Sequence, residues 1–413
     1  MSAVSTLHAV SMKETESNHA VSDGLMERVR AYRLARVRKE LLAQRCPAII
    51  LYDPVNIRYA TDTSNMQVWT GRNPTRYVVV FAHGPIIAFE FHNCEHVWRG
   101  VALDAEIRGA TCWNYFSAGP ESERKARAWA NEIADLLRQH APADMRIAVD
   151  RLDPEGVHAL LGQGIRLADG QAVMERARAV KSADELVLVQ AAVAACEQGI
   201  QRMHDALAPG MSEQDLWAHL HYENIRLGGE WIETRLLASG PRTNPWMQEC
   251  SPRIMKKGEL IAFDTDLIGP HGYCADISRT WTVGHVRPTD KQRRLYAAAH
   301  TQLHTNMELL RPGMTFKEYA QRSWDMPSAY HQNRYSCLAH GIGMVDEYPS
   351  VAYYSDWEGG GYDGVFESGM TLCIESYIGE EGGEEGVKLE QQVLLTNAGC
   401  TPLSTFPFET EWL

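Results

Sequence analysis

The stretch Ile261-Ala262-Phe263-Asp264-Thr265-Asp266, followed closely by Gly272-Tyr273-Cys274-Ala275-Asp276, decides the reading of this chain. An apolar run ending in two acids at i and i+2 reads as a β-strand. Alternate side chains of a strand share a face, so Asp264 and Asp266 are expected to aim their charges at one point. The residues from Tyr273 to Trp281 read as the return strand, which brings Asp276 back after a Gly-Pro-His-Gly turn. Three carboxylates gathered at one place require a cation.

Working outward, His340 lies in Cys337-Leu338-Ala339-His340-Gly341-Ile342-Gly343, Glu375 closes Met370-Thr371-Leu372-Cys373-Ile374-Glu375, and Glu390 closes Gly386-Val387-Lys388-Leu389-Glu390. Taken singly, each acid is more often a turn or cap residue than a ligand. Taken together, they are carboxylates that repeatedly end buried runs, an expensive arrangement without a partner. Hard oxygen donors with a single imidazole suit Mn, Fe, Co or Zn, and five carboxylates carry more charge than one divalent ion neutralises. The expected centre holds two divalent metal ions on Asp264, Asp266, Asp276, His340, Glu375 and Glu390, with iron foremost and Mn, Zn or Co as the alternatives.

The rest of the chain agrees with a two-domain α/β protein. Its 413 residues, 45% of them hydrophobic, suffice for two buried cores. The expected boundaries are a tail or arm over 1–22, a smaller α/β domain over 23–178 and a catalytic domain over 179–413. In the first domain a helix is expected over 24–45, strands over 47–52 and 146–150, a hairpin from 76–81 and 85–89, and helices over 121–140 and 153–163. In the second, a helix over 183–207 ends at Pro209-Gly210, and Ser212 caps another through Leu227. Strands are expected to dominate from Glu233, interrupted by helices near 290–311 and 316–325. A net charge of −13 without a basic stripe argues against nucleic acid. No apolar run reaches the roughly 18 residues of a membrane span, and the N-terminal residues lack the apolar core of a signal peptide. Nine cysteines without CxxC spacing read as reduced core thiols, which points to the cytoplasm.

The ordered acids and histidine, with Asp276-Ile277-Ser278-Arg279-Thr280, His340-Gly341-Ile342-Gly343 and Lys388-Leu389-Glu390, resemble the pita-bread metallopeptidase superfamily, which includes methionine aminopeptidase, prolidase and creatinase. The resemblance covers about residues 180–405. It implies a C-terminal pita-bread domain behind a smaller creatinase/prolidase-like domain. Val180-Lys181-Ser182-Ala183-Asp184-Glu185-Leu186 resembles the entry to the catalytic domain, and Asp53-Pro54-Val55-Asn56-Ile57-Arg58-Tyr59 a strand of the N-terminal one.

The departures from that pattern carry the function. Where the peptidases have a Pro-His pair, this chain reads Asn244-Pro245-Trp246. Where their second catalytic histidine follows the metal-binding one, Asp346 stands, with one residue fewer between. Asp264 lies one residue too far from Asp276 for the usual spacing and Asp266 one too near, so both are expected to bind. These features resemble the dimethylsulfoniopropionate lyase branch, the DddP type. That resemblance implies a homodimer that cleaves a small zwitterion into dimethyl sulfide and acrylate by β-elimination. Asp346 is then the expected base, with Tyr335 and Glu347 in reserve. Trp246 and Tyr335 are the expected aromatic faces for the sulfonium, ahead of Trp69, Trp98 and Trp113 reaching across a dimer. A dinuclear Xaa-Pro dipeptidase and a non-catalytic binding module are the other readings, the latter disfavoured because all ligand types are kept.

Overall fold

The computed structural model describes residues 22–413, so the expected tail falls, apart from Ser22, outside the described residues. The chain divides into two compact units, one ending at Arg178 and one running Ala179–Leu413.

In the first unit, α1 (Asp23–Ala43) starts where the Ser22 hydroxyl accepts the Leu25 amide. Then follow β1 (Ala48–Leu51), α2 (Pro54–Thr61), β2 (Tyr77–Phe81), β3 (Ile86–Glu90), β4 (Ala105–Gly109), α3 (Ser122–His140), β5 (Arg146–Val149) and β6 (Arg166–Asp169). They form one mixed sheet in the order β4-β3-β2-β1-β5-β6. Every residue of β1, β2 and β3 is buried, as their unbroken apolar runs require when both faces are covered. Helix α3 supplies Trp129, Ile133 and Leu137 to that core.

The expected strand at Asp53–Tyr59 is corrected. Asp53 caps α2 by accepting the Val55 and Asn56 amides, and Pro54 occupies the first turn, where its missing N–H costs nothing. Trp98 and Trp113 are core residues of this unit: the Trp98 indole donates to Glu90 at 2.7 Å and that of Trp113 to the Tyr52 hydroxyl at 3.3 Å. Trp69 packs on Phe91 and Phe116.

The second unit opens with α4 (Ala183–Ala206) and α5 (Glu213–Arg226), each started by a capping box, Ser182 with Glu185 and Ser212 with Asp215. β7 (Leu237–Ser239), β8 (Leu260–Phe263) and β11 (Arg279–Thr282) form an antiparallel sheet, while β9 (Leu267–Ile268) and β10 (Cys274–Ala275) pair between them. After α6 (Asp290–Leu309) come β12 (Ala339–Ile342), β13 (Asp346–Val351), β14 (Thr371–Gly379), β15 (Gly386–Thr396) and β16 (Gly399–Pro402), in the antiparallel order β13-β12-β14-β15-β16. Helix α6 packs on β14 and β15 through Leu295, Ala299 and Leu303.

Three expectations change here. Strand β8 stops at Phe263, and Asp266 takes φ 37°, a left-handed conformation that no strand accommodates. The single return strand is split into β10 and β11, leaving Asp276 in the irregular link. Residues 240–259 are mostly turns and loops, not strands, in keeping with their prolines and polar side chains.

Candidate metal centre

Each strand brings one piece of the centre. Asp264 and Asp266 leave the end of β8, Asp276 precedes β11, His340 lies on β12, Glu375 on β14 and Glu390 on β15. Glu375 and Glu390 are directly opposite one another in the β14–β15 ladder, and both are wholly buried. Like charges facing each other across a ladder destabilise it, so this pair needs positive charge between its members.

Part of that charge is a residue the sequence reading passed over. Lys388, two residues before Glu390 and hence on the same face, is also fully buried. Its Nζ lies 2.7 Å from Glu375 Oε2, 2.9 Å from Glu390 Oε2 and 3.1 Å from Asp264 Oδ2, and donates to Ser278 Oγ at 2.7 Å. Ser278 in turn donates to Asp264 Oδ1 at 2.6 Å. The signal was present: a lysine and a serine at even spacing from ligand-type acids within apolar strands. Three carboxylates share this one ammonium and Asp266 and Asp276 lie beyond its contacts, an excess of negative charge that divalent ions would neutralise.

Asp264 and Asp266 do not act as neighbours on one strand face. Asp264 turns toward Lys388 and Ser278, whereas Asp266 accepts from Thr234 Oγ1 at 2.7 Å and its backbone N–H donates to Asp276 Oδ1 at 3.2 Å. The left-handed backbone at Asp266 is what redirects it. His340 aims Nε2 at three acids, 3.2 Å from Glu375 Oε1, 3.7 Å from Glu390 Oε1 and 3.8 Å from Asp276 Oδ2. Its Nδ1 lies 3.1 Å from the Gly341 carbonyl and 3.5 Å from Asp346 Oδ1. The Asp346 side chain is 57% exposed, so it stands at the solvent side of the cluster.

The residues fit divalent metal. Donor atoms of Asp276, His340, Cys373 and Glu390 lie within 4.8 Å of one another, as do those of Asp266, Asp276 and Asp346. Asp276 belongs to both groups. Glu390 Oε1 is buried and accepts no hydrogen bond, a desolvated acceptor that a cation would satisfy. Asp264 stands outside both groups, held by Lys388, as does Glu375.

Left to the protein's own charges, most of the acids resist ionisation. Burial, reinforced by neighbouring carboxylates, pushes Asp264 up to about 7 even against Lys388, Asp266 up to about 6, and Asp276 far above the usual carboxylate range. Burial works against Glu390 too, but Lys388 and His340 overrule it and hold that carboxyl low. Burial opposes a charged His340, yet Asp346 and Glu375 keep its pKa well above normal.

Trp246 and Tyr335 come together in a small cluster with Leu236, Ala262 and Tyr377. The Tyr335 ring carries Lys388 Nζ 4.6 Å from its centroid, and its hydroxyl lies 3.5 Å from Asp264 Oδ2. One face of that ring therefore already serves a cation. The Trp246 indole N–H is buried without an acceptor. Glu347 is tied to Lys181 at 2.8 Å and accepts the Met344 amide at 3.0 Å, a structural role.

Residues 187–397 match the metallopeptidase family M24 and residues 33–180 the creatinase/prolidase N-terminal domain. The chain is 42% identical over 389 residues to the dimethylsulfoniopropionate lyase DddP of Roseovarius nubinhibens, covering 93% of this chain and 87% of that protein. It is equally 42% identical to the protein of the same name from Roseobacter denitrificans, over 92% of this chain and 86% of that one. Among solved structures, the Xaa-Pro dipeptidase from Bacillus anthracis shares the fold with TM-score 0.74, at 19% identity over 93% of this chain and 99% of that one.

Proposed function

Because the chain belongs to metallopeptidase family M24 and, within it, to the group containing the DddP lyases, we propose that it is a metal-dependent lyase cleaving dimethylsulfoniopropionate to dimethyl sulfide and acrylate. The observation that carries this reading is Asp346, an exposed carboxylate beside Asp266, Asp276 and His340.

Asp264, Asp266, Asp276, His340, Glu375 and Glu390 are the residues we assign to two divalent ions. When bound, such ions supply Lewis acidity toward the substrate carboxylate. The chain's own groups handle the proton and the leaving group. Asp346 takes a proton from the carbon next to the substrate carboxylate, the electron pair becomes the carbon–carbon double bond, and the carbon–sulfur bond breaks. Neutral dimethyl sulfide departs, acrylate keeps the carboxylate charge, and the proton remains on Asp346 until water removes it. Trp246 and Tyr335 are assigned to the sulfonium, which a ring attracts by about 1–2 kcal/mol when desolvated.

Headspace gas chromatography of the metal-loaded protein with dimethylsulfoniopropionate tests the reading. Dimethyl sulfide with an equal amount of acrylate is expected. Absence of both, with turnover of Xaa-Pro dipeptides, would transfer the assignment to a dinuclear dipeptidase. We further read the enzyme as an iron-containing cytoplasmic homodimer. Nine free cysteines suit a reducing compartment, and exposed Tyr115 and Phe116 offer apolar surface to a second copy. Among the described residues, no helix is long and apolar enough to cross a membrane.

A further inference from the structure

Cys373 stands on β14 two residues before Glu375, hence on the face that carries that carboxylate, and is the register partner of His340 on β12. Its Sγ belongs to the buried group with donor atoms of Asp276, His340 and Glu390, all within 4.8 Å of one another. The same sulfur lies 3.8 Å from the Asp276 carbonyl oxygen. On its other flank it meets Ile268, Cys274 and Ile342. Spacing alone classes it with the core thiols, but a core thiol has apolar neighbours on every side. This one has two carboxylates and an imidazole on one of them.

We propose that Cys373 is a sulfur donor to one of the two divalent ions and that it sets the metal preference of the centre. The inference rests on the metal-centre reading above. When the metal–sulfur bond forms, the S–H bond breaks and its proton passes to water, with no change in oxidation state. An oxygen-rich site discriminates little among Mn, Fe, Co and Zn beyond the general affinity order, whereas one sulfur donor favours Fe, Co and Zn over Mn. Adding a single soft donor to a hard donor set thus changes which metal is held without changing the number of ions.

The full-length protein, stripped with a chelator and reloaded with Co²⁺ or Zn²⁺, tests this. The cobalt form is expected to show a thiolate-to-metal charge-transfer absorption, and X-ray absorption of the zinc form a sulfur shell at about 2.3 Å. Both should vanish in Cys373→Ser and Cys373→Ala. In competition between Mn²⁺ and Zn²⁺, followed by elemental analysis, Cys373→Ser should lose about 10- to 100-fold of the preference for zinc. Two bound cobalt ions without a sulfur shell would overturn the role of Cys373 and leave the metal centre standing. Failure to bind cobalt would overturn both. The wild-type spectra decide the point even if neither variant folds.

Discussion

Asp346 has two chemistries open to it, and one substitution separates them. As the base, it must lose function when its carboxylate becomes an amide: Asp346→Asn should keep both ions and the fold while turnover falls by roughly 10²- to 10⁴-fold. If it serves only to orient His340 through the 3.5 Å approach to Nδ1, the same change should lower metal affinity along with rate. Elemental analysis beside initial rates tells these apart. Asp276, His340 and Glu375 make the complementary case. Alanine at any of them should remove metal and activity together, and a full metal complement in all three variants would sink the ligand assignment. Glu347, a reserve candidate for the base, is engaged by Lys181 and the Met344 amide and is not free to act.

At the scale of elements, the β14–β15 ladder is the part under electrostatic load. Lys388→Met removes the one ammonium that, among the described residues, faces Glu375, Glu390 and Asp264, and breaking such a buried pairing costs about 3–5 kcal/mol. Urea unfolding of chelated protein should show that loss, and divalent metal should recover part of it. Gly341 is the other sensitive point, because a Cβ there would collide with the Tyr348 carbonyl where β12 and β13 slip register. Gly341→Ala should displace Asp346 and lower kcat by about 10²-fold, more than its stability loss explains. Much of this was legible beforehand. Apolar runs ending in acids gave β8, β14 and β15, the apolar run carrying His340 gave β12, and the Ser212 cap gave the start of α5. What was not legible is conformation set by long-range partners. Asp264-Thr265-Asp266 has the composition of a strand end, but its backbone turns because Asp266 reaches for Thr234 and Asp276. Asp53-Pro54 reads as a strand from the family resemblance, whereas an Asp cap followed by Pro in the first turn signals a helix start. Lys388 was visible as a charge but not as a partner, since its partners lie on other strands.

For the whole molecule, the balance of buried charge makes the metal a folding ligand as well as a reagent. Each ion at 100-fold above its dissociation constant stabilises by about 2.7 kcal/mol. For a unit of this size that corresponds to about 5–10 °C in Tm per ion. Calorimetry before and after chelation should show this shift, and an unchanged Tm would contradict the excess of negative charge. The first unit provides an internal control. Its Arg76–Glu90 pair is buried and paired through two hydrogen bonds, with Trp98 on the same carboxylate. Glu90→Gln should therefore destabilise the protein whether or not metal is present.

The position of β13 at the edge of its sheet has a consequence for how such a chain can change over generations. An edge strand has one neighbour, so the loss of a residue near Asp346 is absorbed at a single bulge, between His340 and Gly341. An inner strand such as β14 would have to re-register against two partners at once. Trp246 likewise sits in a loop, outside every strand. Two of the three places where this chain departs from the peptidase pattern are thus ones where mutation meets little resistance, and a lineage can trade one reaction for another there while the strands that carry His340, Glu375 and Glu390 keep their register.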